Sequence, residues 1–166
     1  MKKFQIIILA AGQGKRLLPL TKNLPKTMLK VNEKPIIDYI FSSFDFNQVE
    51  EIIVVTGHCA ELVEKHLGNN FKNTPIKFIR NEIHKTTNSI YSLWLTKKYI
   101  KNDFIIINAD TIIHKDIFSI LLNSEFDTGL AIDDTLEPPL PDEAMKASIK
   151  DNVIYDVSKT ITAEKT

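Results

Sequence analysis

Three cations, Lys15, Arg16 and Lys26, stand just after a run of small residues, Ala10-Ala11-Gly12-Gln13-Gly14, and a carboxylate, Asp110, closes an apolar run far along the chain. These residue types suit chemistry on a polyphosphate. Glycine and alanine leave backbone N–H groups bare, so a phosphate or a base can approach without a large side chain in the way. Arg16 offers a planar fork for bidentate phosphate contact, and Lys26 a compact point charge that can follow a phosphate into a transition state. Asp110 is the candidate metal ligand, because Mg²⁺ commonly uses one or two carboxylates together with phosphate oxygens and water. An Asp at that place could equally turn the chain or cap the next element. Spacing excludes two common nucleotide loops. A Walker A loop has four residues between its first glycine and its Gly-Lys pair, whereas one residue separates Gly12 from Gly14, and Lys15 is followed by Arg16 instead of a hydroxyl residue. A dinucleotide fingerprint needs a small residue three positions after its second glycine, where this chain has Leu17.

The pattern that does fit is LAAG-x-G-x-R-(x)8-P-K, from Leu9 to Pro25-Lys26. It resembles the nucleotidyltransferase superfamily, which joins an NTP to a phosphorylated sugar or alcohol. A second block, Thr87-Asn88-Ser89-Ile90-Tyr91-Ser92-Leu93, resembles the N-x-x-Y-S-L helix start of cytidylyltransferases that act on phosphocholine and related phospho-alcohols. The resemblance implies Mg²⁺-dependent transfer, with CTP or another NTP as donor and a small phosphorylated acceptor. Pyrophosphate would leave, and the CDP-activated product would serve cell-surface polysaccharide or lipid synthesis. It implies a nucleotide site built from Leu9, Ala10, Ala11, Gly12, Gln13, Gly14, Lys15, Arg16, Lys26, Thr87, Asn88, Ser89 and Ala109, with Arg16, Lys26 and Asp110 catalytic. Lys15 departs from the Thr or Ser that many members of the superfamily place before the arginine.

From the residues alone, either Asn88 or Ser89 can cap a helix, leaving the other for a pyrimidine edge or a ribose hydroxyl. The acceptor side of the resemblance falls in the acidic, proline-rich segment 133–143, with Asp133, Asp134 and Glu137 as candidates. Such acids suit an ammonium group, and they equally suit a solvated surface loop or lid. A sugar-1-phosphate uridylyl- or thymidylyltransferase and a catalytically silent NTP-binding domain are the alternatives. An NAD-dependent oxidoreductase would need a ribose-binding acid after the second strand, where the chain has Thr56-Gly57-His58.

Strands and helices alternate in the order needed to bring these residues together. Near-continuous apolar runs predict buried parallel strands over 4–10, 51–56, 75–80 and 103–108. Periodicity near 3.6 predicts helices over 35–44, 60–67, 88–100 and 115–122. A further strand is expected over 127–132, and a hairpin turning at Asp151-Asn152. Trp94 falls at helical spacing with Ile90 and is expected in the core. The architecture is an α/β fold, a three-layer α/β/α sandwich with a Rossmann-like, mostly parallel sheet of the nucleotidyltransferase type. Right-handed crossovers put the loops after Ala10 and Asn108 at one sheet edge, where ligands of open α/β sheets bind.

Length and composition favour one domain over 1–166, with 43% hydrophobic residues for a core. Lys+Arg and Asp+Glu balance at 21 each, so no global field attracts nucleic acid and any cationic site must be local. No stretch is long enough to span a bilayer. The single Cys59 cannot form an internal disulfide, which suits a reducing cytoplasm. His58, His66, His84 and His114 show no metal-ligand spacing. Residues 158–166 look like the middle of a connection, so the chain is expected to lack its C-terminal part, including a second metal carboxylate. An exposed apolar sheet edge would then favour a homodimer.

Overall fold

The run Gln5-Ile6-Ile7-Ile8 is completely buried, because the strand that carries it is covered on both faces and paired on both edges. The computed structural model describes residues 3–133, 135 and 144–161. The chain divides into two compact units, Met1–Phe118 and Ser119–Thr166.

The first unit contains β1 (Phe4–Ala10), β2 (Lys30–Val31), β3 (Lys34–Pro35), α1 (Ile36–Ser42), β4 (Val49–Thr56), α2 (Ala60–Leu67), β5 (Asn70–Phe71), β6 (Thr74–Arg80), α3 (Ser89–Thr96) and β7 (Phe104–Asn108). A further helix, α4 (Lys115–Leu122), crosses into the second unit. The main sheet has the order β5-β6-β4-β1-β7, parallel throughout except for the two-residue β5. Alternation sorts its side chains. Ile6, Ile8, Ile52 and Val54 pack with Ile37, Ile40 and Phe41 of α1, Val63 of α2 and Phe118 of α4. Ile7, Ile53 and Val55 point to the opposite face, which α3 covers. Each such buried side chain contributes about 1.5–3 kcal/mol relative to exposure. The layered, mostly parallel α/β architecture is therefore the expected one.

A buried polar residue sets where β7 begins. The Gln5 side-chain amide donates to Glu51 Oε2 (2.9 Å) and to the Tyr99 carbonyl (3.0 Å), and its Oε1 accepts from Lys101 N (2.7 Å). All of its main capacity is used, so burial carries no penalty, and the chain entering β7 is tied to the central strand. Leu9 then pairs with Asn108, and Ala109 N donates to the Leu9 carbonyl (3.2 Å). Sequence and register thus deliver Asp110 beside the loop after β1.

Arg80 closes β6 with a side chain directed to α2. Its Nε and Nη2 donate to the two carboxylate oxygens of Glu64 (2.9 and 2.7 Å), and Thr56 Oγ1 adds a 3.1 Å bond to Glu64. The Arg80 hydrogen bonds hold the Glu64 carboxyl below its ordinary value of 4.5, against the opposing effect of partial burial. A depressed carboxylate pKa means that the stabilisation is present above the unfolded-state value and is lost as pH falls through the folded one. Glu64→Gln is therefore expected to lower the Tm at neutral pH, with the difference from wild type closing in the acid range below 4.5. Thermal melts at pH 7 and at a series of lower pH values check this, and a difference that does not shrink as the pH falls below 4.5 contradicts it.

Two expectations need correction. Trp94 and Ile90 do share one helix face, but that face is outward, 61% and 73% exposed respectively. The small residues Ser92 and Thr96 are buried instead, letting α3 lie close to the sheet, while Tyr91 stacks on Trp94 with ring centroids 5.7 Å apart. Residues 127–132 form no strand and are exposed throughout. Their apolar content fits a strand, but a strand needs a ladder partner, and none of the described strands pairs with them.

The second unit contributes the hairpin of β8 (Lys146–Lys150) and β9 (Val153–Ser158). Asp151 and Asn152 both adopt positive φ, 51° and 62°, as a two-residue type I′ turn requires.

Candidate functional site

Gly14 brings the first two parts of the site together. It takes φ 62° at the head of a 3-10 turn, Lys15–Leu17, and a Cβ there would lie 3.0 Å from Thr21 Cγ2 and 3.1 Å from Lys26 Cβ. The missing side chain is what lets the loop fold against Lys26. Thr21 Oγ1 donates to the Gly14 carbonyl (2.8 Å). His58 holds the loop from the other side, its backbone N donating to the Ala11 carbonyl (3.3 Å) and its Nε2 to the Thr21 carbonyl (2.8 Å). Its ring thus fastens the loop in place.

Gly57 makes that approach possible. A Cβ on it would stand 2.7 Å from the Ala11 carbonyl oxygen and 2.9 Å from Cβ and Cγ of His84, closer than such atoms pack. Gly57→Ala is expected to cost about 1–3 kcal/mol through overpacking. Urea unfolding of the two proteins measures it, and an unchanged midpoint contradicts the contact argument. Gly12 differs, since a Cβ there would meet nothing within 4 Å.

These elements border a cleft of about 830 Å³ at the carboxyl edge of the sheet. From the β1 side come Leu9, Ala10, Ala11, Gly12, Gly14, Lys15, Arg16 and Leu17, with Lys26 and Thr27 from the next turn. The loop after β7 supplies Ala109 and Asp110, and Lys26 Nζ donates to Asp110 Oδ2 at 2.8 Å, both side chains remaining partly exposed. From β6 and α3 come Asn81, His84, Thr87, Asn88, Ser89 and Ser92, with neither a carboxylate nor a Lys or Arg among them. The cleft is therefore charged at the β1–β7 end and neutral, with amides and hydroxyls, at the β6–α3 end. Buried side-chain polar atoms without a partner among the described residues are Thr27 Oγ1 and His84 Nε2, and both residues line this cleft. Orphaned polar atoms in a cleft wall are the groups that a bound ligand can satisfy.

The same ground plan is found in other proteins. Residues 5–131 match the nucleotidyl transferase family. The chain belongs to that family. It is 38% identical to the bifunctional protein GlmU of Methanococcus vannielii over 125 residues, 75% of this chain and 28% of that protein. With the choline-phosphate cytidylyltransferase of Streptococcus pneumoniae it shares 34% identity over 112 residues, 68% of this chain and 47% of that one. The inositol-1-phosphate CTP transferase of T. maritima superimposes with a TM-score of 0.77 over 97% of this chain and 66% of that chain, at 23% identity, a likeness of fold. The chain thus spans between about a quarter and a half of the length of these two curated relatives.

Within this nucleotidyltransferase frame, every nucleotide-site residue named from sequence lines the cleft except Gln13, which is half-buried outside its lining. Asn88 is the helix cap, its Oδ1 accepting from Tyr91 N at 3.2 Å, so Ser89 is the side chain left over at the helix start. Asp133 lies in the second unit, where Thr135 N and Oγ1 both donate to its Oδ1 (2.9 and 2.6 Å) and hold its carboxyl below the usual carboxylate range. Asp134 and Glu137, like most of the expected loop or lid 133–143, lie outside the described residues.

Beyond the site residues named from sequence, the lining includes Leu17, Thr27, Asn81, His84 and Asn108, together with Ser92, which stood in the second sequence block without an assigned role. One signal was available for Asn81. It directly follows a predicted parallel strand, and the carboxyl ends of such strands are where ligands of α/β sheets bind. No helix among the described residues is long and apolar enough to cross a membrane.

Proposed function

We propose that this chain transfers a cytidylyl group from CTP to a small phosphorylated acceptor in the cytoplasm, releasing pyrophosphate and yielding a CDP-activated molecule for cell-surface polysaccharide or lipid synthesis. The observation that carries this reading is the polarity of the cleft: a cationic end able to take a triphosphate and a neutral hydrogen-bonding end able to take a base and ribose. Likeness to a choline-phosphate cytidylyltransferase favours cytosine and a phospho-alcohol acceptor.

A phosphomonoester is largely a dianion at neutral pH, its second pKa being about 6, so as nucleophile it needs little help from a general base. One of its oxygens attacks the α-phosphorus of CTP, the bond from that phosphorus to the bridging oxygen breaks, and pyrophosphate leaves with the electron pair. The protein's task is positioning and charge neutralisation. Lys15 and Arg16 face the β- and γ-phosphates, while Lys26 moves its charge from Asp110 to the α-phosphate. The residues fit Mg²⁺ as a partner of the nucleotide: Asp110 is half-exposed beside the phosphate loop, and among the described residues no cluster of three or more His, Cys, Asp or Glu could hold a metal by protein ligands alone. When bound, Mg²⁺ supplies electrostatic stabilisation of the triphosphate oxygens, with Asp110 as its protein ligand.

A matrix of four NTPs against phosphorylated alcohols, amines and sugars, read as pyrophosphate release with and without Mg²⁺, tests the proposal on the full chain. Metal-dependent release with CTP and a phospho-alcohol is the expected result. Turnover of UTP or dTTP with a sugar 1-phosphate would replace the base and acceptor assignments, and nucleotide binding without release for any pair would reduce the chain to an NTP-binding domain.

A further inference from the structure

Asn81 is 1% exposed and bonded through every side-chain polar atom. Its Oδ1 accepts from the backbone N–H of Ile83 at 3.1 Å, and its Nδ2 reaches Thr87 Oγ1 (3.0 Å) and Ser92 Oγ (3.1 Å). The orientation of the amide is fixed by chemistry. A backbone N–H can only donate, so the atom facing Ile83 must be the carbonyl oxygen, and the NH₂ group must face the two hydroxyls. The backbone is fastened too, with Asn81 N donating to the Thr56 carbonyl at 2.8 Å and His84 Nδ1 donating to the Asn81 carbonyl at 3.1 Å.

Each hydroxyl must therefore accept from Asn81 and send its own hydrogen elsewhere. Thr87 has a destination, the Ile83 carbonyl at 3.0 Å. Ser92 has none: it is 3% exposed, it lines the cleft, and among the described residues no bond is formed in which its Oγ donates. With one lone pair taken by Asn81, the hydroxyl keeps a second lone pair and an O–H that has no acceptor among the described residues, so a ligand satisfies this buried donor only by bringing an acceptor.

We propose that Ser92, oriented as a donor by Asn81, reads the N3 position of a pyrimidine and so selects cytosine over uracil. Cytosine carries a lone pair at N3, which the Ser92 hydroxyl can meet. Uracil carries N3–H there, which can use only the remaining serine lone pair and leaves the buried Ser92 O–H without an acceptor. This inference rests on the nucleotide reading of the cleft and adds to it the group that distinguishes the two pyrimidine nucleotides. Ser92 is the specificity residue and Asn81 the positioning residue.

The test is calorimetric titration of the full chain with CTP and with UTP, comparing wild type, Ser92→Ala and Asn81→Asp. In Asn81→Asp one carboxylate oxygen still accepts from Ile83 N, preserving the turn, while the other now accepts from Ser92 and leaves the serine lone pairs toward the ligand. The added charge weakens both nucleotides together, so the readout is the ratio of their Kd values. Wild type is expected to favour CTP by about tenfold or more, the scale of one mismatched buried hydrogen bond. Ser92→Ala should bring the ratio near one, and Asn81→Asp should invert it toward UTP, a reversal that general loosening of the cleft would not produce. Equal binding of CTP and UTP by wild type, or a ratio unchanged in both variants, would overturn this inference while leaving the transferase reading in place. Failure of wild type to bind any NTP would overturn both.

Discussion

Lys26→Ala is expected to lower kcat for the proposed cytidylyl transfer by about a hundredfold or more, with a much smaller change in the Kd for CTP. The size is that of removing one electrostatic stabiliser aimed at charge developing in a transition state. The asymmetry between kcat and binding comes from the geometry. In the free protein Lys26 is already satisfied by Asp110 at 2.8 Å, so its exchange from carboxylate to ground-state phosphate is nearly balanced. Its net contribution appears when the α-phosphate gains charge. Lys15 and Arg16 still line the cleft in the variant and still draw in the triphosphate. Steady-state kinetics together with titration of CTP separate the two effects. A variant with near-normal kcat would remove Lys26 from the chemistry, whatever its effect on affinity.

Asp110→Asn is expected to abolish most metal-dependent turnover, by roughly a thousandfold if several kcal/mol of transition-state stabilisation depend on the bound ion. It should not weaken CTP binding in the absence of metal. Loss of the carboxylate releases Lys26 from its ion pair, so metal-free CTP binding should hold or tighten. The increment in CTP affinity produced by Mg²⁺ should disappear. The fold is expected to survive, because the side chain is half-exposed and pairs with one partly exposed lysine; circular dichroism checks this. An unaltered response of CTP affinity to Mg²⁺ would show that the metal is held elsewhere. Because Lys26 and Asp110 touch, the two substitutions should be non-additive, and the double variant should lose little beyond the worse of the two singles.

The charged end of the site was readable in the chain without coordinates. Leu9 through Lys26 is one continuous segment, and the backbone freedom of Gly14 and the cations at positions 15, 16 and 26 are local properties of residue type and spacing. The parallel sheet was equally readable, since the strands Phe4–Ala10 and Val49–Thr56 each contain a continuous apolar stretch rich in β-branched residues, 6–10 and 52–55, as strands covered on both faces do. The hairpin turn at Asp151-Asn152 followed from the few residue types that accept positive φ.

Tertiary structure decided what depends on partners distant in sequence. Trp94 has the spacing of a core residue, but α3 carries its hydroxyl residues Ser89, Ser92 and Thr96 along one face, and the fold turns that face of small residues inward in place of the apolar one. The buried face is the one on which Ser92 meets Asn81 and Thr96 lies against the sheet. Residues 127–132 have strand-like composition, but a strand exists only where a neighbour supplies its hydrogen bonds. The pairing of Lys26 with Asp110 spans 84 positions and depends on the register that Gln5 imposes between β1 and β7. Gly57 reads as an ordinary glycine after a strand, and only the carbonyl of Ala11 and the ring of His84 pressing on it show why a side chain cannot stand there. The neutral end of the cleft was the least legible part. Asparagine, threonine and serine occur everywhere on protein surfaces, and the direction in which a buried hydroxyl points is set by the partners that the fold places around it, not by the residue itself.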